Sequence, residues 1–361
     1  MDRTRIDVRT ASAAYPIIIE PGLLGGLQQL LDDEHFARRI FIVSSPTVWR
    51  LHGTAISRAL PGPECILIPD GERAKTLQTT SRVYDALVTA RADRGAGIVA
   101  IGGGVIGDTA GFAAATYLRG IAVAHVPTTL LAQVDSAVGG KVGVNHPLGK
   151  NLVGAFHQPQ LVAIDPLVLT TLPRREFRAG LYEVVKYGMA FDAELFERVR
   201  TGTQAIFDRS PAVLAPIIAT SCRIKAGVVE EDERERGRRR LLNFGHTAGH
   251  ALEAITKYRR FRHGEAVALG MIIAADLAVA RGALHADARD ALVQLIGGLG
   301  PLPAIADLRA EDALEAIRHD KKVVDGRLHF VLPVALGRAT VVDDVTEREL
   351  GEALGRVGLR G

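Results

Sequence analysis

Ile98-Val99-Ala100-Ile101-Gly102-Gly103-Gly104-Val105-Ile106-Gly107-Asp108 is the stretch whose reading decides the fold. An apolar, β-favouring run passes straight into glycines and then into the helical pattern of 109–117, so it reads as strand, turn, helix. Gly102, Gly104 and Gly107 fit G-x-G-x-x-G. Glycine lets backbone approach a phosphate closely, and a helix N-terminus turns unsatisfied N–H groups toward an anion. The plain alternative is a tight turn that packs a helix on a sheet. The dinucleotide fingerprint also needs an acidic ribose ligand about 20 residues on. Here that position falls in Ile121-Ala122-Val123-Ala124-His125, without a carboxylate. The pattern therefore favours a pyrophosphate site on a non-standard α/β domain.

On either side, short β-branched runs recur at 17–19, 40–43, 65–68 and 121–126, with a helical stretch at 76–91 bearing Leu77, Val83, Tyr84, Leu87 and Val88. Strands without clean polar alternation, separated by helices, predict a mostly parallel sheet covered on both faces. After about residue 170 the texture changes to Ala/Leu-rich amphipathic stretches at 176–199, 211–229, 247–255 and 265–281, with one late hairpin signal at 328–332 and 339–342. The expected organisation is an α/β domain over 1–170 and an α-helical domain over 171–361, sharing a cleft.

With 47% hydrophobic and 24% charged residues, the composition is globular and excludes whole-chain disorder. Two cysteines, Cys65 and Cys222, are too few for a disulfide framework and fit a reducing, cytoplasmic setting. Lys plus Arg is 44 against 41 Asp plus Glu, a near-balance that does not point to nucleic acid. The start alternates charged and apolar residues and lacks a signal-peptide core, and no uninterrupted apolar run approaches the ~20 residues of a membrane span.

Two further constellations carry chemistry. After the strand ending at Val126, Thr128 and Thr129 precede Asp135, Ser136, a glycine pair and Lys141, and Lys150-Asn151 follow a Gly/Pro turn. Hydroxyls at a strand end, two lysines and an amide suit a cluster of anionic oxygens, solvated loop lysines being the alternative. In the helical half, Glu183 stands amid apolar neighbours, His246 and His250 are four apart on one helical face, and His263 precedes the next helix. Two histidines and a carboxylate with one open position make a catalytic zinc-type site. Residue 247 is Thr, so the metalloprotease H-E-x-x-H pattern is absent. The mixed-charge run 230–240 reads as a solvated face, except Glu235 and Arg239, which lead into the histidine helix.

These segments together resemble the 3-dehydroquinate synthase family of sugar-phosphate cyclases. The matching stretches, in order, are DGERAK (70–75), GGGVIGD (102–108), YLRG (117–120), VPTTLLAQVDSAVGGK (126–141), LGKNLVGAF (148–156), LYEVVKYG (181–188), LNFGHTAGHA (242–251), HGEAVALG (263–270) and DKKV (320–323). The resemblance implies a Rossmann-like α/β amino-terminal domain on a mainly α-helical carboxy-terminal domain, a homodimer, and NAD with zinc or cobalt. It implies Glu183, His246 and His263 as metal ligands and His250 as a nearby substrate or proton-transfer residue. Glu72, Lys75, Gly103, Gly104, Val105, Asp108, Thr128, Thr129, Asp135, Ser136, Lys141, Lys150, Thr171, Leu172 and Glu176 fall where the family contacts NAD. Lys141, Lys150, Asn151, Lys186, Lys225, Glu235, Arg239 and Asn243 match substrate positions, Lys321-Lys322 contains another, and Arg119 matches an arginine that reaches the neighbouring subunit's phosphate site.

The implied activity is conversion of 3-deoxy-D-arabino-heptulosonate 7-phosphate to 3-dehydroquinate and phosphate, a lyase step of the shikimate pathway. Transient oxidation by NAD is followed by phosphate elimination, re-reduction and aldol closure. One departure stands out: where many members carry Asp or Asn for the adenosine ribose, this chain has Ser44-Ser45-Pro46-Thr47. Ser45 bears no charge, so weaker but retained NAD binding is expected there. The rival readings are another sugar-phosphate cyclase and a metal- and NAD-dependent polyol dehydrogenase. The latter would not need Lys141, Lys150, Lys225 and Arg239 around a small neutral substrate.

Overall fold

Alternation along a single strand explains the layering of the amino-terminal unit. In Ala96–Gly102, Ile98 and Ala100 join the apolar cluster on one side, Val99 and Ile101 the cluster on the other, and all four are buried. A strand that is apolar on both sides must be covered on both. The computed structural model describes residues 3–318, 323–324 and 327–361. Its strands are β1 (Thr4–Arg9), β2 (Ala14–Ile19), β3 (Arg39–Ser44), β4 (Glu64–Leu67), β5 (Ala96–Gly102), β6 (Ala122–Pro127), β7 (Lys141–His146), β8 (Gly149–Phe156), β9 (Leu161–Ile164), β10 (Val323–Val324), β11 (Arg327–Leu328), β12 (Phe330–Ala335) and β13 (Arg338–Val342). Its helices are α1 (Leu27–Asp33), α2 (Pro46–Ala59), α3 (Leu77–Thr89), α4 (Gly104–Thr116), α5 (Arg174–Phe191), α6 (Ala193–Phe207), α7 (Pro211–Glu231), α8 (His246–Ile255), α9 (His263–Ala280), α10 (Ala286–Leu299), α11 (Ala310–Arg318) and α12 (Glu347–Val357).

Two compact units emerge: Met1–Pro173 with Arg209–Arg234, and Arg174–Asp208 with Glu235–Gly361. Helix α7 thus belongs with the α/β unit, although it lies in the helical half of the sequence. Inside that unit the Cys222 thiol donates to the Gln133 carbonyl at 3.3 Å.

The first unit is built on a seven-stranded sheet in the order β1-β2-β9-β6-β5-β3-β4. Every neighbouring pair is parallel except β1 with β2. The antiparallel partner β1 is an addition to what the apolar runs predicted, because its charged residues alternate with Ile6 and Val8 and leave no continuous run. Helices α1 and α2 cover one face with Leu27, Leu30, Leu31 and Ile56, and α3 and α4 cover the other with Val83, Leu87, Ala110 and Ala113. Crossovers leave β3 and β5 in opposite directions, to β4 and to β6, so these adjacent strands form the topological switch point. Open α/β sheets bind ligands outside the carboxyl ends of the strands at such a point. Ser44 and Gly102 end the two strands there.

In the second unit α9 is buried along nearly its whole length. The predicted stretch 176–199 is two helices: Asp192 ends α5 and caps α6, its Oδ1 accepting from the Leu195 N–H at 3.0 Å. The late hairpin signal is realised as the antiparallel pair β12–β13. By length and mean hydropathy two helices, Pro211–Glu231 and His263–Ala280, reach the range of a membrane span, but 56% and 78% of those windows are buried inside the protein. They are core helices interrupted by charge, Lys225 in one and Glu265 with Asp276 in the other, which is why no uninterrupted apolar run marks them.

One buried titratable group of the sheet makes stability depend on pH. Burial pulls His125, on β6, down to about 4, with a smaller push from His157. An unfolded histidine titrates near 6.5, so below that pH the unfolded chain binds the extra proton and the folded one resists it. Stability is full above about 6.5 and falls as pH drops toward 4. Urea unfolding should show about 2 kcal/mol less stability at pH 5 than at pH 7 from this group alone. His125→Leu should shrink the difference between the two pH values by that amount, and an unchanged difference would contradict the assignment.

Candidate functional site

Three helices of the second unit each contribute one donor to a common point. Glu183 comes from α5 and is fully buried, His246 is the first residue of α8, and His263 is the first residue of α9. Helix α9 starts two residues earlier than its apolar pattern indicated, which puts His263 on the helix. The Nε2 atoms of His246 and His263 lie 3.8 and 3.5 Å from Glu183 Oε1. One ligand atom from each of the three falls within 4.8 Å of the others. Donors held tetrahedrally at about 2.1 Å from one zinc sit about 3.4 Å apart, so these spacings suit co-ligands of one cation. Buried Glu183 Oε1 accepts no hydrogen bond, a costly state for a carboxylate oxygen unless a cation meets it. The Lys186 ammonium is ion-paired to the other oxygen, Oε2, at 2.6 Å.

The imidazoles are aimed from behind. Phe244 O lies 3.1 Å from His246 Nδ1. A carbonyl only accepts, so Nδ1 carries the proton and Nε2 keeps its lone pair toward Glu183. His263 Nδ1 faces the Glu253 carboxylate at 3.4 Å, with the same consequence. The His250 ring stands 5.4 Å from His246 and 5.9 Å from His263, centroid to centroid. His250, Glu253 and His263 form a second group whose donor atoms also lie within 4.8 Å of one another.

Backbone proximity makes the convergence possible. A Cβ on Gly264 would stand 1.9 Å from the Ala179 carbonyl oxygen on α5, and one on Gly270 1.9 Å from that of Gly245, the residue before α8. Glu265 then clamps the start of α9. It accepts from Arg175 Nε and Nη2 at 2.8 and 2.7 Å, from Arg178 at 3.3 Å and from the Arg262 N–H at 2.8 Å. Burial works to raise its carboxyl, but those donors win and hold it below the usual carboxylate range.

Other predicted residues of this unit lie close in sequence to the cluster. Arg239 is buried within the short 3-10 turn Arg238–Asn243, and the Asn243 amide donates to Glu235 at 2.7 Å. Glu235 itself adopts a φ of 59°. Half-buried Glu176 is ion-paired with Arg262 at 2.6 Å. The predicted solvated face holds for Arg234, Arg236 and Arg238, which are exposed.

The remaining candidates sit in the first unit. Gly103 caps α4 without a side chain, and Cβ atoms on Gly103 and Gly104 would stand 3.0 Å from Thr129 Cγ2 and 3.1 Å from Ser136 Oγ. With Val105 this is a backbone cradle at a helix N-terminus, beside the switch point and buried Thr128. Lys75 is buried and its ammonium meets Asp108 Oδ2 and Asn151 Oδ1, both at 2.5 Å. Burial alone would lower Lys75, but the Asp108 and Glu72 charges hold it above its ordinary value. Asn145 donates to Glu72 at 2.8 Å, tying DGERAK to the β7–β8 hairpin. That hairpin carries Lys141 on β7 and Lys150 and Asn151 on β8, around the predicted Gly/Pro turn. Lys225 on α7 donates to Asp135 Oδ1 at 2.6 Å, on a π-helical turn Ala132–Ser136. Thr171 shares a hydrogen bond with His52 at 3.0 Å, and Leu172 follows it. Arg119 is exposed at the end of α4, where Leu118 and Arg119 have φ of 49° and 68°. Ser45 caps α2, its Oγ accepting from the Val48 N–H at 3.3 Å. Lys321 and Lys322 lie outside the described residues.

Sequence reading missed Glu253 and Glu265. Glu253 carried a signal, since 246, 250 and 253 share one helical face. Glu265 was quoted within its motif, but Arg175 and Arg178, which turn it into a clamp, are about 90 positions away.

Comparison with known proteins places this geometry. The solved 2-epi-5-epi-valiolone synthase ValA of Streptomyces hygroscopicus subsp. jinggangensis, described with NAD+ and Zn2+ bound, superposes with a TM-score of 0.88 at 30% identity, covering 98% of this chain and 99% of that one. A 2-deoxy-scyllo-inosose synthase, complexed with carbaglucose-6-phosphate, NAD+ and Co2+, gives 0.84 at 26% identity, with 98% and 99% covered. The fold is therefore that of the sugar-phosphate cyclases. The family model 3-dehydroquinate synthase N-terminal matches residues 65–179, and 3-dehydroquinate synthase C-terminal matches 180–323. A 3-dehydroquinate synthase of Pelotomaculum thermopropionicum is 47% identical over 354 residues, 97% of this chain and 95% of that protein. The chain belongs to the 3-dehydroquinate synthase family.

The glycine contacts give a direct test. Gly264→Ala should lower stability in urea by about 3 kcal/mol or more, because the clash is with backbone that cannot rotate away. Gly227→Ala, inside α7 with no atom within 4 Å of the added carbon, should instead stabilise by about 0.5–1 kcal/mol. Equal midpoints for Gly264→Ala and the parent would contradict the packing described.

Proposed function

We propose that this protein converts 3-deoxy-D-arabino-heptulosonate 7-phosphate into 3-dehydroquinate and phosphate, using NAD and a divalent zinc or cobalt ion. The observation that carries the reading is the Glu183–His246–His263 donor set, in a chain that belongs to the family over nearly its whole length. The orphaned oxygen of Glu183 fits a metal, and the cradle at Gly103 and Gly104 fits a pyrophosphate. When bound, metal and NAD supply polarisation of a carbinol oxygen and reversible hydride transfer.

The chain's own residues do the rest in this reading. Lys186 balances the charge of Glu183, and His250, beside the two ligand rings, moves a proton. Lys141, Lys150, Asn151, Lys225, Arg239 and Asn243 hold the phosphate and carboxylate of the substrate by charge-assisted hydrogen bonds, with Lys321 or Lys322 as a further contact. Glu235 orients Asn243. Glu72, Lys75, Gly103, Gly104, Val105, Asp108, Thr128, Thr129, Asp135, Ser136, Thr171, Leu172 and Glu176 surround NAD, Lys75 and Asp108 as a mutually neutralised pair. Ser45 is buried and its oxygen accepts from the Val48 N–H at the α2 cap, which supports the weaker ribose contact. A homodimer in which Arg119 serves the neighbouring site is supported by the strained, exposed 118–119 turn. A cytoplasmic location is supported by two free cysteines, and a division near residue 170, with α7 joined to the first part, by the change from strands to helices.

The test is incubation of purified protein with the heptulosonate phosphate, NAD+ and Zn2+, following phosphate, dehydroquinate and absorbance at the NADH band. Equal amounts of phosphate and dehydroquinate should form with no lasting NADH. Absence of both products with metal bound would overturn the reading, and stoichiometric NADH would identify a polyol dehydrogenase instead. His263→Ala should lose metal and turnover together; stoichiometric zinc in that variant would remove His263 from the ligand set.

A further inference from the structure

Glu253 is a charged side chain that the reaction as proposed does not use, and it is almost entirely buried. Its side chain is 4% exposed on α8, one turn beyond His250 and two beyond His246. Burying a carboxylate costs several kcal/mol unless it is paired, so its place beside the histidines demands a partner. It sits 3.4 Å from His263 Nδ1, the nitrogen turned away from Glu183, while Nε2 of the same ring lies 3.5 Å from Glu183 Oε1. The His263 imidazole is thus held between two carboxylates, one at each nitrogen.

This arrangement separates the two nitrogens by role. A carboxylate at Nδ1 favours the tautomer with the proton there, leaves the Nε2 lone pair free, and raises the basicity of that lone pair. The other ligand histidine has a neutral carbonyl, Phe244 O, at its Nδ1. The two rings are therefore not equivalent: His263 is backed by charge and His246 by a peptide dipole. His263 is also the more exposed ring, its side chain at 30% against 11% for His246. It is the one whose orientation packing fixes less.

We infer that Glu253 is a positioning residue for the metal site, acting through His263 by fixing its tautomer and ring plane and strengthening it as a ligand. The inference rests on the reading of Glu183, His246 and His263 as metal ligands. It also chooses between two uses of the same side chains. His250, Glu253 and His263 could gather a cation of their own, but that would engage His263 Nδ1 as a second ligand atom and leave it without a proton for Glu253.

The experiment measures metal binding on the full-length protein, by zinc stoichiometry, by competition with a chelator and by the visible spectrum of the cobalt-loaded form. Glu253→Gln keeps volume and an acceptor oxygen but removes the charge, and Glu253→Ala removes both. Both variants should still bind one equivalent at saturation. Affinity should fall about tenfold for Gln and toward a hundredfold for Ala, with an altered cobalt spectrum. The metal-free forms should unfold at or near the parent's urea midpoint, whereas a merely structural role would show as loss of stability without metal. Parent-like affinity and spectrum in Glu253→Gln would overturn the inference. So would a parent that binds two equivalents, one of them lost on substitution. His263→Ala is the control: if it keeps stoichiometric zinc, the ligand reading itself has failed, and if it loses metal while Glu253→Gln binds normally, only the role of Glu253 has.

Discussion

Gly264 leaves no room between α9 and α5: a methyl group there would occupy the Ala179 carbonyl oxygen. Gly270 does the same against Gly245, so α9 is pressed backbone to backbone on both α5 and the start of α8. Glutamate and histidine side chains reach only a few ångströms, and three of them meet at one point only if their helices approach this closely. The clamp at Glu265 fixes the rotation of α9 about that contact, and with it the position of His263. The metal-capable cluster is thus a consequence of helix packing, and the polar residues exploit a geometry that small residues create.

Charge is handled by the same economy in both units. The net charge of +3 is uninformative as a sum. Lys75, Lys186 and Lys225 are all buried and each meets a carboxylate: Asp108, Glu183 and Asp135. Pairing lets a buried ammonium stay ionised where desolvation would otherwise strip its proton. Each of these ammonium groups is therefore held in place by a carboxylate of the protein itself. The Lys75–Asp108 pair also draws in Asn151, so the short turn before α3, helix α4 and the β7–β8 hairpin share one hydrogen-bonded node.

The fold was legible because its signals are local. Short apolar runs bounded by turns marked β2 to β6, and the glycine turn after Ile101 marked the strand-to-helix junction and its anion-binding character. The donor set was legible for a similar reason, since His246 and His250 share a helical face and Glu183 and His263 sit in distinctive apolar or glycine-flanked settings. What escaped depends on distant partners. β1 alternates charge with Ile6 and Val8 and is a strand because β2 pairs with it. The break at Asp192 is one capping residue inside an otherwise continuous helical pattern. Glu253 and Glu265 look like ordinary helix-surface acids until tertiary packing buries them beside His263, Arg175 and Arg178. The placement of α7 with the α/β unit has no local signature at all.

The claim on which the account rests is that three side chains from three helices define one metal position. Crystals grown with zinc, with anomalous diffraction recorded across the zinc edge, test it most directly. The account predicts a peak about 2.0–2.2 Å from Glu183 Oε1, His246 Nε2 and His263 Nε2. A peak among His250, Glu253 and His263 Nδ1 instead, or no peak near any of these side chains at saturating zinc, would contradict it.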